Sequence, residues 1–412
     1  MMAVRFKTFM KERIDLSDTG EETLLSVSEY YGVKPRKDAF SEESFESRAA
    51  NLEGYRRVFQ GDFVMNYMLA WKGAYGISNY EGIVSPAYAV FEIDKKKACL
   101  SYIHHCLRSE YFKGYFKSHS KGIIESRLRL YPDTFLSLPI ELPSYEIQKE
   151  IGDFLDLETD RINQLIENKK KLICLMKERE SNAVREAIFS LINEGVQIWK
   201  LSHICRVQRG KFTHRPRNAP ELYDGEVPFI QTGDVARADK FITQHKQTLS
   251  ELGMSVSAKF PSNTLLMAIA ANVGNLAITT YEVYCPDSVV GFIPTEKVDS
   301  EYLYYVLRAI SDDISSISTS NAQDNTNVAR LGSLKIPLPS IQKQKILIDR
   351  FKIEEDLLFK MASKISNSIS KLNEFRSALI SEAVTGQLDI KSWKKRGSTD
   401  KHLDNIEEAM RT

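Results

Sequence analysis

The sequence predicts a mixed α/β (α+β) protein built as a pseudo-twofold internal repeat. Two compact domains are separated by two long helices that pair as an antiparallel coiled coil. Three observations predict it. The stretches "LPIELPSYEIQK" from Leu138 and "LKIPLPSIQKQK" from Leu334 share L-x-I-x-L-P-S and then, three residues on, Q-K, at a spacing of about 196 residues. That spacing is far longer than the roughly 20–50-residue periods of solenoids and propellers, so the unit repeated is a whole domain plus a helix. Each copy is followed by a long amphipathic run, and each is preceded by a fainter matching segment.

The order of elements follows from these repeats. Residues 1–142 form the first domain, 143–195 a central helix, 196–338 the second domain, 339–390 a second helix and 391–412 a polar tail expected to be loosely ordered. Leu138, Ile140 and Leu142 alternate, as do Leu334, Ile336 and Leu338, which marks two short half-buried strands. Pro143 and Pro339 end them, and Ser144 and Ser340 stand where helix N-caps belong. In the second helix Phe351, Leu358, Ile365, Leu372 and Leu379 recur every seven residues. In the first, Leu155, Ile162, Leu165 and Leu172 give a shorter version, interrupted by Lys169 and Arg179. Sustained heptads indicate a coiled coil, although a long core helix of a bundle reads similarly. Gly195 and Gly386 are the expected helix stops. Each helix then has roughly 40–45 residues and a length of about 60–65 Å. One intervening domain lets the helices lie side by side, and antiparallel is the simpler arrangement.

The preceding segments match more faintly. "FQGDFVMNYM" at Phe59 aligns with "FPSNTLLMAI" at Phe260, and "GAYGISNYEGIVSPAYAVF" at Gly73 with "GNLAITTYEVYCPDSVVGF" at Gly274. Short apolar runs punctuated by Gly and Pro indicate compact α/β domains.

Composition narrows the function. The chain has 412 residues with 42% hydrophobic content, enough for two or three domains with real cores. Its 56 basic and 55 acidic residues leave a net charge of +1, so any affinity for nucleic acid comes from local basic surface. Five cysteines without a C-x-x-C pair fit a reducing, cytoplasmic setting. No signal-peptide-like segment or apolar run of membrane-spanning length is present. Cys205 near His203 and His214 makes a poor zinc set, and His104-His105 reads as a pair on a helix face. There is no Walker loop, G-x-S-x-G, H-E-x-x-H, adenine-methyltransferase N/D-P-P-Y/F loop or nuclease carboxylate–lysine set. No catalytic residue, metal ligand or cofactor site is expected on this chain, which reads as a binder.

Candidate nucleic-acid contacts lie on loops. The basic stretch "CRVQRGKFTHRPR" supplies Arg209, Lys211, His214, Arg215 and Arg217; a solvated basic loop would look the same. The first domain offers Lys34, Arg36 and Lys37, then Trp71, Lys72 and Tyr75 in "WKGAYG", and Lys117, His119 and Lys121 in "KSHSKG". The second offers Thr232, Asp234 and Arg237 in and after "QTGDV", Asn272 and Asn275 in "ANVGN", and Asn325 and Asn327 in "SNAQDNTN". Asn suits bidentate contact with adenine. Similar loops in two copies that differ in detail are what two readers of different short sequences would carry.

These residues resemble a known family, the specificity subunits of type I restriction–modification systems. The resemblance rests on "FRSALISEAVTGQLDI" from Phe375, both "LPS…QK" helices, "VPFIQTGDV" at Val227 and "ARLGSLKIPLP" at Ala329, and it covers essentially the whole chain. It implies two target-recognition domains, each reading one half of a bipartite double-stranded DNA site, held apart by the coiled coil. Two methyltransferase subunits and the restriction/translocase subunits are implied as partners. S-adenosylmethionine, ATP and Mg are implied on those partners, with no membrane involved. A helix of about 60 Å limits the gap between half-sites to well under roughly 18 base pairs. Two features depart from the pattern: the first helix ends "NAVREAIFSLINEG" without the S-E-A-V-T-G phrase, and the opening strand of the first domain is expected to be short. A coiled-coil scaffold whose α/β domains bind other proteins is the alternative reading, and an enzyme acting by itself a third.

Overall fold

In each domain the first strand pairs with the last. Met2–Arg5 runs antiparallel to Pro139–Leu142, and Ile198–Lys200 runs antiparallel to Lys335–Pro337. The computed structural model describes residues 2–39, 52–124, 127–270, 273–310 and 324–411. The chain divides into two units, Met1–Lys170 with Lys364–Thr412, and Lys171–Ser363. Each long helix therefore contributes to both.

In the first unit, Met10–Glu12, Ala89–Ile93, Phe63–Met65 and Tyr75–Ile77 form an antiparallel sheet in that order. Phe6, Phe63, Phe91, Phe116 and Phe135 close over it, with Phe6 stacked on Phe135 at 4.5 Å and Phe91 5.0 Å from Phe135. The helix Leu100–Arg108 follows the sheet. Arg56–Val58 pairs with Gly82–Val84, and Leu25–Ser28 with Gly32–Pro35, on a smaller separate core.

The second unit repeats the sheet. Cys205–Arg209, Val289–Pro294, Leu265–Ala268 and Leu276–Thr279 occupy the same four places, and Phe241–Ile242 adds a parallel edge. Phe91 and Phe292, aligned in the sequence, sit at equivalent positions opposite Phe63 and Leu265. Gly73 and Gly274 close equivalent turns with φ of +92° and +87°, a backbone region open to glycine at little cost. Ala258–Phe260 pairs with Val283–Cys285 as Arg56–Val58 does with Gly82–Val84. The parallel pairing of Phe229 with Tyr284 is mirrored by that of Leu24 with Ile83. The opening strand of the first sheet has 3 residues against 5 in the second.

The long helices are Tyr145–Asn193 and Ile341–Val384, 49 and 44 residues. Both end in a Schellman turn at the expected glycines. Gly195 N–H donates to Ile192 and Val196 N–H to Leu191; Gly386 N–H donates to Ala383 and Gln387 N–H to Glu382. In the second unit Lys343 pairs with Glu194, while Arg308 bridges Glu180 and Glu355, so the helices run antiparallel there. In the first unit Arg376 bonds Asn163, and Leu155, Ile162, Leu372 and Leu379 share one core.

The repeated phrase places one glutamine in each unit. Gln148 is 2% exposed and Gln344 0%. Gln148 Oε1 accepts from Cys99 N–H at 2.9 Å while its amide donates to the Pro143 carbonyl at 3.0 Å. Gln344 Oε1 accepts from Asp299 N–H at 2.8 Å, and its amide donates to Pro339 at 2.9 Å and Lys297 at 3.0 Å. Cys99 and Asp299 are the N-caps of the equivalent helices Leu100–Arg108 and Ser300–Ala309. Each glutamine thus fastens a domain helix to the start of a long helix.

Two expectations are corrected. Leu172 is 46% exposed and stands outside the seam, and Leu165 is half-buried. The buried row of the first helix passes instead through Ile162, Ile166 and Lys169, because a straight helix drifts from a strict seven-residue repeat. The remaining seam positions, Leu155, Ile162, Phe351, Ile365, Leu372 and Leu379, are buried and Leu358 is half-buried. The polar tail is ordered into helices Ile390–Arg396 and Ser398–Arg411. They cover the first unit's helices: Leu403 is buried, Arg161 pairs with Asp400, and the Lys169 ammonium lies 2.6 Å from Glu407. His402 stacks on Phe375 at 4.9 Å and on Trp393 at 5.5 Å.

Candidate nucleic-acid interface

In the first unit the turn Ala70–Lys72 packs against the helix Glu110–His119. Ser109 caps that helix, accepting from Phe112 N–H, and Phe112 and Phe116 bury one face. The opposite face carries Lys117 and His119 into solvent. Lys72 Nζ lies 5.1 Å and Lys117 Nζ 5.6 Å from the centre of the half-buried Trp71 ring. This is a cation–aromatic cluster of the kind that accepts a phosphate backbone beside a stacking surface. His119 packs on Tyr115 at 4.5 Å, and exposed Lys121 forms a two-way backbone bridge with Arg129. Lys34, Arg36 and Lys37 stand on a different element, the second strand of the Leu25–Pro35 hairpin and the short helix after it. Lys34 and Lys37 are exposed there, and Lys34 Nζ sits 5.7 Å over Tyr31.

Tyr75 is corrected. It is fully buried, its hydroxyl donates to the Leu107 carbonyl at 2.8 Å, and burial pushes its phenol far above the usual range. Gly-x-Tyr in a loop-like stretch reads as surface in the sequence, but this tyrosine opens the edge strand Tyr75–Ile77 and its ring is buried in the core beneath the sheet.

The basic loop of the second unit is more internally occupied than its sequence suggests. Arg209 Nε donates to the Asp287 carbonyl at 2.7 Å and Arg217 meets the Asp287 carboxylate at 2.7 Å. Arg215 donates to the carbonyls of Phe212 and His214 at 3.0 and 2.8 Å. A Cβ on Gly210 would lie 1.9 Å from the Pro286 carbonyl oxygen, so only glycine lets the loop sit on this turn. Lys211 is exposed and His214 half-buried. Asp234 is also corrected: it is 9% exposed and caps the helix Thr232–Arg237, accepting from Gln231 N–H at 2.9 Å and pairing with Arg237. A buried capping carboxylate does not face a ligand. Thr232 is half-buried in that first turn, and Arg237 stays half-exposed. Asn275 is exposed on the turn after Gly274. Asn272 and the side chains of Asn325 and Asn327 lie outside the described residues.

One polar segment escaped the sequence reading. Thr243, Gln244, His245, Lys246 and Gln247 are all exposed, and the first four line a cleft of about 320 Å³ with Arg237 and Phe241. His245 Nδ1 lies 3.1 Å from the Tyr281 hydroxyl. "TQHKQ" has no spacing or charge run to single it out; only the fold gathers it beside Arg237.

Among the described residues no group of three or more His, Cys, Asp and Glu could hold a metal, and no helix is long and apolar enough to cross a membrane. What is present is a repeated α/β domain with polar and basic loops, mounted twice on paired long helices.

Residues 193–371 match the family model of the type I restriction modification DNA specificity domain. A type I restriction enzyme specificity subunit of Methanocaldococcus jannaschii, MjaIX, is 23% identical over 45% of this chain, a stretch spanning only 44% of that relative. The putative MjaX specificity subunit of the same organism is 23% identical over 82% of this chain and 80% of its own. A chain from a structure described as the basis of complex assembly and conformational transition of the type I R-M system superposes with a TM-score of 0.68. It shares 14% identity and covers 94% of this chain and 98% of its own, which establishes the common fold. Residues 193–371 thus carry the family's DNA specificity domain, and the chain is similar to type I restriction enzyme specificity subunits over most of its length.

Proposed function

We propose that this chain is the non-catalytic DNA-recognition subunit of a type I restriction–modification complex. Each domain reads one half of a bipartite site in double-stranded DNA, and the paired helices set the spacer between the halves. Two methyltransferase subunits dock on the chain and methylate adenine with S-adenosylmethionine, and restriction/translocase subunits use ATP and Mg. One observation carries the reading: the two units share their sheet order and glutamine fastening but differ in their exposed loops. A scaffold repeated for strength would have no reason to vary those loops; a reader of two different half-sites would. An internal repeat matched to two half-sites follows the logic that links dimer geometry to operator spacing.

The test is a map of methylated adenines in source cells with and without the gene. Loss of one bipartite motif on deletion supports the proposal and reads out the target. An unchanged methylome, together with no methyltransferase co-purifying with the chain, would leave the protein-binding scaffold in its place.

A further inference from the structure

Lys240 lies between the helix Thr232–Arg237 and the edge strand Phe241–Ile242. Its side chain is only 13% exposed, and its ammonium lies 2.8 Å from Glu355 Oε2 and 2.6 Å from the Tyr305 hydroxyl. The ammonium also sits 4.5 Å over the Tyr305 ring. Its own carbonyl accepts from Ile278 N–H at 2.8 Å, so the residue is tied to the sheet as well. Glu355 belongs to the second long helix, and its other oxygen receives Arg308 at 2.9 Å. Arg308 in turn pairs with Glu180 of the first long helix. Lys240, Glu355, Arg308 and Glu180 thus form one chain of alternating charge inside the second unit.

The electrostatics show which link is strong. Burial raises the Glu355 carboxyl, but Lys240, Tyr305 and Arg308 outweigh it and hold the group below the usual carboxylate range. Burial lifts Glu180 above that range, with the Glu355 charge adding to the rise and the Arg308 guanidinium only partly offsetting it. Among the described residues of the first unit the equivalent helix makes a different contact: Asp156 accepts from Ser101 at 2.6 Å and sits 2.8 Å from His105. The residues just beyond this lock are the exposed Thr243–Gln247 segment.

We propose that Lys240 is a positioning residue that holds the polar segment Thr243–Gln247 at a fixed place along the second long helix, and so fixes the spacer length the complex accepts. The proposal rests on the DNA-recognition reading above. A loop free to shift by a fraction of a helical turn would meet its bases at more than one spacing. A buried ion pair resists such a shift, because separating the partners leaves a charge without its counterion.

The test uses the full chain assembled with its methyltransferase subunits. Duplexes carry identical half-sites with the native spacer or a spacer one base pair longer or shorter. Wild type is expected to methylate the native spacer in preference. Lys240→Met should lower that preference about tenfold, less than for a fully buried pair because Glu355 keeps some solvent contact and its partner Arg308, while the half-site letters stay the same. Lys240→Arg, which still reaches Glu355, should restore it. The double variant Lys240→Met/Glu355→Gln leaves no lone charge and should resemble Lys240→Met, so a folded protein is in hand even if the single variant unfolds. The idea is overturned if these variants keep the wild-type preference. It is equally overturned if they lose methylation evenly at every spacer, or change the half-site letters. A wild-type complex with no spacer preference would instead sink the DNA-recognition reading.

Discussion

Gln344 Oε1 accepts the Asp299 backbone N–H at 2.8 Å, and 0% of this glutamine reaches solvent. The same bond recurs between Gln148 and Cys99 at 2.9 Å. The repeated Q-K of the sequence is therefore a repeated hydrogen-bond clamp. Replacing either glutamine by Ala orphans a backbone N–H and a carbonyl and should cost about 1–3 kcal/mol. Chemical denaturation of the two single variants checks this. A cost below a few tenths would show that water takes over the bonds.

His104 gives a pH dependence. Burial, with His105 and Arg108 nearby, lowers its imidazole to about 4. The unfolded chain, with an ordinary histidine, then binds more protons than the folded one between about pH 4 and 6.5. Stability is full above that window and falls by about 1–3 kcal/mol as pH drops through it. His104→Gln should flatten melting temperature against pH in this range; an unchanged slope would assign the dependence elsewhere.

The Trp71 cluster predicts a salt signature. If Lys72 and Lys117 neutralise phosphates, Ala at either should reduce the slope of log affinity against log salt by about 0.9 without changing the recognised letters. Trp71→Ala should weaken binding with little change in slope. Identical slopes in all three would remove this face from the interface.

Lys169 and Glu407 make a contrast of sign. Lys169 is buried, while Glu407 on the tail helix keeps about a third of its side chain exposed. Glu407→Ala leaves a buried ammonium without its partner and should cost about 1–2 kcal/mol, discounted for that exposure. Lys169→Met fills the same seam with apolar atoms and should be neutral or stabilising. Thermal unfolding of the two variants decides; equal losses would mean that the tail docks by packing alone.

Much of the fold was legible because it is written in local rules. Period-two alternation placed the strands at Ile140 and Ile336, and glycines placed the helix ends. The seam failed at Leu172 because the buried row drifts from a strict heptad, and the tail was misread because the partners of Lys169 and Arg161 lie more than two hundred residues away, at Glu407 and Asp400. Loop chemistry was the least legible. Composition marks Arg209 and Arg217 as basic, but only the fold shows both tied to Asp287, and Asp234 spent on a helix cap. Conversely, Gln244 and His245 have neighbours that only folding supplies.

The pairing of Met2–Arg5 with Pro139–Leu142, repeated by Ile198–Lys200 with Lys335–Pro337, brings the entrance and exit of each domain side by side. A domain mounted on two adjacent pins is a cartridge. It can be drawn out and another inserted without cutting the rod that carries it, provided the newcomer brings the same two strands and offers its helix cap to the glutamine. On the proposed reading, the half-site each unit recognises would then change by exchange of cartridges rather than by the slow revision of single loops.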